Sequence, residues 1–145
     1  MPTFKIAAVQ TAPVFMDREA TVAKACELIA EAGQSGAGLV VFPEAFIPTY
    51  PDWVWRIPPG EHGMLADLYA ELLEQSVTLP GPATDQLCQA ARKAGVYVVI
   101  GLNERTGQQR QPVQHPALHR RRGQLAGQAP EAGTDRSRAH GLGPG

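Results

Sequence analysis

A single glutamate is the residue with the clearest capacity for chemistry in this sequence. Glu44 follows an apolar run at residues 39–42, separated from it only by Pro43. The run is too short for a helix and is bounded by glycine and proline, so it predicts a strand buried on both faces. Ligands of open α/β sheets bind beyond the carboxyl ends of the strands. Glu44 is therefore where a catalytic carboxylate would be expected.

Aromatic side chains are concentrated directly after this glutamate, namely Phe46, Tyr50, Trp53 and Trp55. We expect them to enclose the carboxylate, because an apolar setting makes a carboxylate more basic and suits it to proton transfer. A lone glutamate after a strand is more often a solvated loop residue. The tryptophans could equally be packing residues, and their alternation with Val54 allows them to face opposite ways. We favour pocket lining or a subunit contact for them.

A longer pattern surrounds Glu44 and carries a family resemblance. Residues 36–51 read G-x-x-L-V-V-F-P-E-x-F-I-P-x-Y-P, and residues 7–10 read A-A-V-Q. The first pattern resembles the first signature of the nitrilase branch of the carbon–nitrogen hydrolases, and the second resembles that family's opening strand. Thr49 departs from it, since many members have glycine there. The continuation Y-P-D-W at residues 50–53 resembles nitrilases more than the related amidases or carbamoylases.

The resemblance implies a fold and a reaction. It implies an α/β chain forming the first half of a nitrilase-like αββα sandwich. It also implies a Glu-Lys-Cys triad in which Glu44 is the general base, with no metal and no organic cofactor. The substrate would be a small-molecule nitrile, hydrolysed to a carboxylic acid and ammonia through a cysteine thioimidate, and an amidase of the same superfamily is the alternative. The intact family member would form a homo-oligomer.

The elements before Glu44 are predicted from periodicity and capping. Residues 4–9 predict a first strand, and Asp17 can cap the helix that follows. The helix is indicated by apolar residues at helical spacing, which are Val22, Ala25, Cys26, Ile29 and Ala32. Gly33 or Gly36 is expected to end it.

The elements after Glu44 complete an alternating pattern. Several prolines between residues 48 and 59 predict a loop, and an apolar stripe over residues 64–73 predicts a helix that contributes to the core. Thr84 is expected to cap a further helix that ends at Gly95, and residues 96–102 predict another buried strand. Strands alternating with helices favour a mainly parallel sheet.

Composition narrows the class of protein. Two cysteines, Cys26 and Cys88, do not make a disulfide framework, and both fall at apolar helical positions, so we expect buried thiols. The first residues have no signal-peptide pattern, and no apolar run reaches membrane-spanning length. We therefore expect a cytoplasmic protein without a membrane partner.

Residues 108–145 differ chemically from residues 1–107. The first 107 residues carry seven basic and twelve acidic side chains, a net charge of −5, whereas the remainder carries six arginines and two acids, a net charge of +4. The remainder contains no isoleucine, phenylalanine, tyrosine or tryptophan. We predict a non-native or disordered basic tail that does not pair with the strand at residues 96–102. A nucleic-acid-binding arm is disfavoured, because no aromatic residue is present to stack on bases.

A frameshift would account for this change. Nitrilases continue with patterns like S-L-Y-N-T-L-L-Y-I and then G-K-H-R-K-L-V-P-T. The codons for residues 111–119, moved by one base, permit the first pattern at every position, and those for residues 127–135 permit the second in the same register. We hypothesise a frameshift near residues 106–108. It would remove the family's catalytic lysine and nucleophilic cysteine from this chain.

Overall fold

Short parallel strands and the helices that connect them form the framework of the chain. The computed structural model describes residues 3–105, 113–119 and 125–128. In chain order, the elements are β1 (Ile6–Ala8), α1 (Arg18–Gln34), β2 (Leu39–Val41), a 3-10 helix (Asp52–Trp55), α2 (His62–Gln75), α3 (Pro82–Ala94), β3 (Tyr97–Glu104), β4 (Val113–His119) and β5 (Leu125–Gln128).

The described strands form one sheet in the order β1-β2-β3-β4-β5. β1, β2 and β3 are parallel, with Ile6 opposite Leu39 and Leu39 opposite Tyr97. β4 and β5 are antiparallel to their neighbours. The prediction of an α/β layer with a mainly parallel sheet at its centre is therefore confirmed.

Helix ends follow the predicted signals with one exception. The Asp17 carboxylate accepts a hydrogen bond of 2.8 Å from the Ala20 amide and caps α1. The helix ends just before Gly36, and Gly95 ends α3 in the left-handed conformation. Thr84 was expected at the cap of α3, but the cap is Gly81. The Thr84 hydroxyl instead accepts from the Gly81 amide at 3.1 Å and donates to the Gly81 carbonyl at 2.8 Å.

The core lies on one face of the sheet. Side chains of β2 and β3, such as Val40, Val98 and Ile100, are fully buried against apolar residues of α1 and α3. Most residues of opposite parity on the same strands, including Leu39 and Tyr97, are half-buried or exposed, whereas Asn103 near the end of β3 is buried. The prediction that the strands are buried on both faces is therefore wrong for the described residues, because helices cover only one face.

The apolar stripe of α2 contributes less to the core than predicted. Of this helix, only Leu72 is buried, while Met64 is 54% exposed. Tyr69 packs edge-on against Trp53, with ring centroids 6.3 Å apart. The prediction of a core helix is wrong in extent, because periodicity identifies an apolar face but does not show how much of it a neighbouring layer covers.

The segment after residue 107 also departs from the prediction. β4 pairs with β3 over seven residue pairs, from Val98 opposite His119 to Glu104 opposite Val113. The expectation that this segment does not pair with the third strand is therefore wrong. A hairpin pairing satisfies backbone hydrogen bonds whatever the side chains are, so an unfavourable composition does not by itself exclude it. The other parts of the predicted tail, including Arg120, lie outside the described residues.

Candidate active site

Glu44 lies on a sharp excursion of the backbone at the carboxyl end of β2. The Phe42 amide still donates to the Val99 carbonyl at 2.8 Å, as it would in a continuing parallel strand. The chain then turns away, and Ala45 takes a left-handed conformation with φ of 47°. Residues 43–47, which we call the glutamate elbow, therefore present Glu44 beyond the sheet rather than within it.

Gly101 lets the elbow approach β3 more closely than any other residue would. A Cβ atom at Gly101 would lie 2.4 Å from the Ala45 nitrogen, 2.7 Å from the Glu44 Cα and 2.7 Å from the Pro43 oxygen. All three are backbone atoms, which cannot move aside as a flexible side chain can. A glycine within an apolar strand is a sequence signal of such a close approach, although Gly101 is not among the residues that the sequence pattern predicts to be functional.

The elbow rejoins the sheet at Ile47. The Ile47 amide donates to the Gly101 carbonyl at 3.3 Å, and the Ile47 carbonyl accepts from the Asn103 amide at 2.8 Å. The buried Asn103 side chain then donates through Nδ2 to the Thr49 carbonyl at 3.0 Å. The segment predicted to be a plain loop is thus held to β3 at several points.

Thr49 occupies its position without backbone strain. The described non-glycine residues with positive φ are Met16 and Ala45. Thr49 is buried, and its carbonyl is the acceptor for Asn103. A threonine in place of the expected glycine is therefore compatible with this loop, because the left-handed residue of the elbow lies four positions earlier.

The aromatic residues do not enclose Glu44 as expected. Its side chain is exposed and has no hydrogen-bond or ion-pair partner among the described residues. Phe46 is buried against Phe42, and Trp53 is buried between Phe15 and Tyr69. Trp55 is 81% exposed, so the two tryptophans do face different environments, and Trp53 serves packing rather than pocket lining.

The cysteines do not join the site. Cys26 lies on α1 and Cys88 on α3, and both are half-buried rather than fully buried. Burial raises the pKa of the Cys26 thiol above its usual value, with a further contribution from Glu27. Burial likewise raises the pKa of the Cys88 thiol, followed by the effect of Asp85. A raised pKa makes a thiol less reactive, which is opposite to what a nucleophile requires.

A cavity of about 420 Å³ lies apart from the elbow. It is lined from α1, α3, the segment before α3 and the residue after β3, by residues that include Arg18, Thr78, Gln86 and Arg105, and Glu44 is not among them. In the parts of the chain that the structure describes, no group of three histidine, cysteine or acidic side chains is placed to hold a metal ion. None of the described helices is both long and apolar enough to cross a membrane.

Comparison with known sequences places the chain in a family. A model of the carbon-nitrogen hydrolase family matches residues 5–131. "Nitrilase 3" from an unknown prokaryotic organism is 46% identical over 107 residues, which are 74% of this chain and 32% of that protein. An aliphatic nitrilase from Rhodococcus rhodochrous is 45% identical over 105 residues, and an arylacetonitrilase from Aspergillus oryzae is 41% identical over 100.

Comparison with solved structures agrees on the fold. An amidase of the nitrilase superfamily from Nesterenkonia AN1 superposes with a TM-score of 0.61 at 22% identity, covering 87% of this chain and 42% of that one. The chain spans about a third of the length of the curated relatives it matches. Because the family match extends over most of the chain and includes the strand, elbow and glutamate described above, the chain belongs to the carbon–nitrogen hydrolase family of enzymes.

Proposed function

We propose that this chain is the amino-terminal part of a nitrilase-type hydrolase, with Glu44 as its general base. The observation that carries the proposal is the elbow, which holds beyond the carboxyl end of a parallel strand a carboxylate with no partner among the described residues. A general base must be free to accept a proton from another group, and a carboxylate already engaged in an ion pair would be a weaker base. The relatives named as nitrilases support a nitrile as the substrate.

The proposed reaction uses two further residues, a cysteine and a lysine, which we do not assign to any residue of this chain. The base takes the proton from a cysteine thiol, and the thiolate adds to the nitrile carbon. The proton passes to the nitrile nitrogen and gives a thioimidate, while a lysine ammonium stabilises the developing negative charge. Water adds to the thioimidate carbon, ammonia leaves, and a second water releases the carboxylic acid. The net reaction consumes two waters for each nitrile.

The test is an assay of a frame-corrected protein against nitriles and amides. We expect ammonia release from nitriles, and loss of that activity in Glu44→Gln, which keeps the shape of the side chain but cannot accept the proton. The exposed Glu61 is a matched control, since Glu61→Gln makes the same chemical change at the start of α2. Equal activity in wild type and Glu44→Gln would refute the role of Glu44.

An amidase is the second candidate, and one observation favours it. The solved structures that superpose include amidases from Nesterenkonia, one of them titled with acrylamide added at its active site cysteine. Their identity with this chain is only about half that of the nitrilases. Turnover of amides without turnover of nitriles in the assay above would establish the amidase instead.

We further propose that the 145-residue chain is a non-catalytic fragment. Catalytic triads act as units, so a chain lacking the nucleophile and the lysine would lose activity by many orders of magnitude. The sheet face opposite the helices carries exposed apolar side chains, including Ile6 and Tyr97, and favours association with other chains. Ammonia release from a nitrile by this chain, above that of Glu44→Ala, would refute the proposal.

A frameshift near residues 106–108 is the proposed origin of the unusual segment, which we take as residues 108–145. β4 covers residues whose shifted codons permit a family pattern, yet in this frame it places Pro116 opposite Gly101 of β3. Proline has no N–H to donate and is found in sheets almost only at edges or bulges. Resequencing the gene there should reveal an inserted or deleted base, followed by an open frame with a cysteine motif. A clean frame without such a motif would refute the hypothesis.

A further inference from the structure

Within the described part of the chain no side chain fixes the carboxylate of Glu44, so its position there depends on the backbone of the elbow. Glu44 makes no side-chain hydrogen bond or ion pair with the described residues. Before the glutamate, the chain is held where the Gly101 amide donates to the Pro43 carbonyl at 3.3 Å. After it, the chain is held where Ile47 and Thr49 meet β3.

Asn103 supplies two of the three hydrogen bonds on the far side of the elbow. Its amide donates to the Ile47 carbonyl at 2.8 Å, and its side-chain Nδ2 donates to the Thr49 carbonyl at 3.0 Å. The first of these bonds is available to any residue but proline. The second requires a side-chain donor of this length and direction, and it extends the clamp two residues further along the loop.

The side-chain oxygen Oδ1 of Asn103 indicates that this residue does more than stabilise the fold. Its side chain is fully buried, and Oδ1 has no hydrogen-bond partner among the described residues. Burying an unpaired polar atom costs at least as much as one neutral hydrogen bond contributes net. An apolar side chain of similar shape would therefore stabilise this position about as well, so the asparagine is better explained by the geometry that it imposes.

We infer that Asn103 is a positioning residue for Glu44, an inference that rests on the proposed role of that glutamate as the general base. Through the Thr49 carbonyl it prevents the segment after the elbow from lifting off β3. The elbow is then anchored on both sides of Glu44, and the carboxylate is presented in a narrow range of positions. Proton transfer is efficient only when the reacting groups are held within such a narrow range of positions.

The test compares three variants of the 145-residue chain by amide hydrogen exchange in NMR. Asn103→Leu and Asn103→Ala should increase exchange at the Ile47 amide roughly tenfold, the size expected for loss of one hydrogen bond. The Phe42 amide, bonded to Val99 on the near side, should be unchanged. Thr49→Ala is the matched control and should behave as wild type, because the acceptor is the main-chain carbonyl.

Two further measurements separate positioning from a structural role. The ¹³Cδ resonance of Glu44, identified as the signal lost in Glu44→Gln, should shift in Asn103→Leu and not in Thr49→Ala. The urea midpoint should stay near that of wild type in Asn103→Leu. A fall in the midpoint that accompanies faster exchange throughout the chain would show a purely structural role and overturn the inference.

A measurement on the wild type tests the Asn103 hydrogen bond even if the variants fail to fold. One Nδ2 proton of Asn103 should exchange slowly, since it is buried and bonded to a carbonyl. If both Nδ2 protons exchange as fast as those of an exposed asparagine, the clamp does not exist. None of these measurements needs turnover, so a failed nitrile assay would refute the nitrilase proposal and leave this result standing.

Discussion

Replacing Gly101 with alanine should force the glutamate elbow away from β3. The added Cβ would lie 2.4 Å from the Ala45 nitrogen and 2.7 Å from both the Glu44 Cα and the Pro43 oxygen. Carbon needs about 3.4 Å or more from such atoms, so backbone must move by roughly 0.7–1 Å. The bonds that join Gly101 to Pro43 and Ile47 are already 3.3 Å long, so they have little capacity to stretch.

The expected loss of stability follows from two opposing effects. Inserting a methyl group into a tightly packed site costs about 1–3 kcal/mol. Alanine restricts the unfolded chain more than glycine does, which returns about 0.4–1 kcal/mol. We therefore expect Gly101→Ala to lower the free energy of unfolding by about 1–2 kcal/mol, measured by urea denaturation with the fluorescence of the buried Trp53 as the signal.

Gly63→Ala is the matched control for this substitution. Gly63 lies in the first turn of α2, and a Cβ there would meet nothing within 4 Å. This substitution should be neutral or stabilise the chain by up to about 1 kcal/mol, because alanine favours helix. If Gly101→Ala is as stable as Gly63→Ala, the elbow does not pack on β3 as described, and the reasoning about Glu44 fails with it.

Three further outcomes are expected. Asp17→Ala should lower the free energy of unfolding by about 1 kcal/mol in urea denaturation, because it removes the cap bond of α1, while Asp17→Ser should retain most of it; equal losses would exclude capping. Folding raises the pKa values of Cys26 and Cys88, so above their usual pKa of 9.0 the folded chain retains thiol protons that the unfolded chain loses. The contribution of these thiols to stability is therefore constant at neutral pH and declines as the pH rises past 9.0. The urea midpoints of wild type and of the double Cys→Ser variant should diverge above that pH, and parallel pH profiles would contradict this. Ile6→Lys, which places a charge on an apolar position that is 58% exposed, should reduce self-association in size-exclusion chromatography, and a wild-type chain that elutes as a monomer with a cooperative melt would contradict the association predicted for this face.

The ends of the helices were predicted well because the residues that cap them act over short distances. Asp17 caps α1 through an amide three residues away, and Gly95 ends α3 through its own backbone conformation. Thr84 was placed on the right helix but at the wrong position, since a threonine near a helix start can bond back to the residue three before it as well as forward. Such local errors do not change the fold.

The predictions that failed are those that depend on what covers a surface. The stripe of α2 and the second face of β2 are apolar in sequence, but the described chain covers each of them only in part. Similarly, the aromatic residues after Glu44 were expected around the carboxylate, whereas Phe46 and Trp53 turn into the interior and leave it exposed. The identity and spacing of residues show which side chains follow a strand, but they do not show in which direction a loop points each side chain.

The sequence by itself therefore determined the family, the α/β class and the identity of Glu44 as the candidate base, since these depend on residue types at fixed spacing along one strand and its turn. Only the tertiary structure revealed that Gly101 and Asn103 hold that glutamate in place. Both lie more than fifty residues further along the chain, and they meet the elbow because parallel pairing sets β3 beside β2. Contacts of this kind arise from strand register and backbone proximity, which a local sequence pattern does not contain.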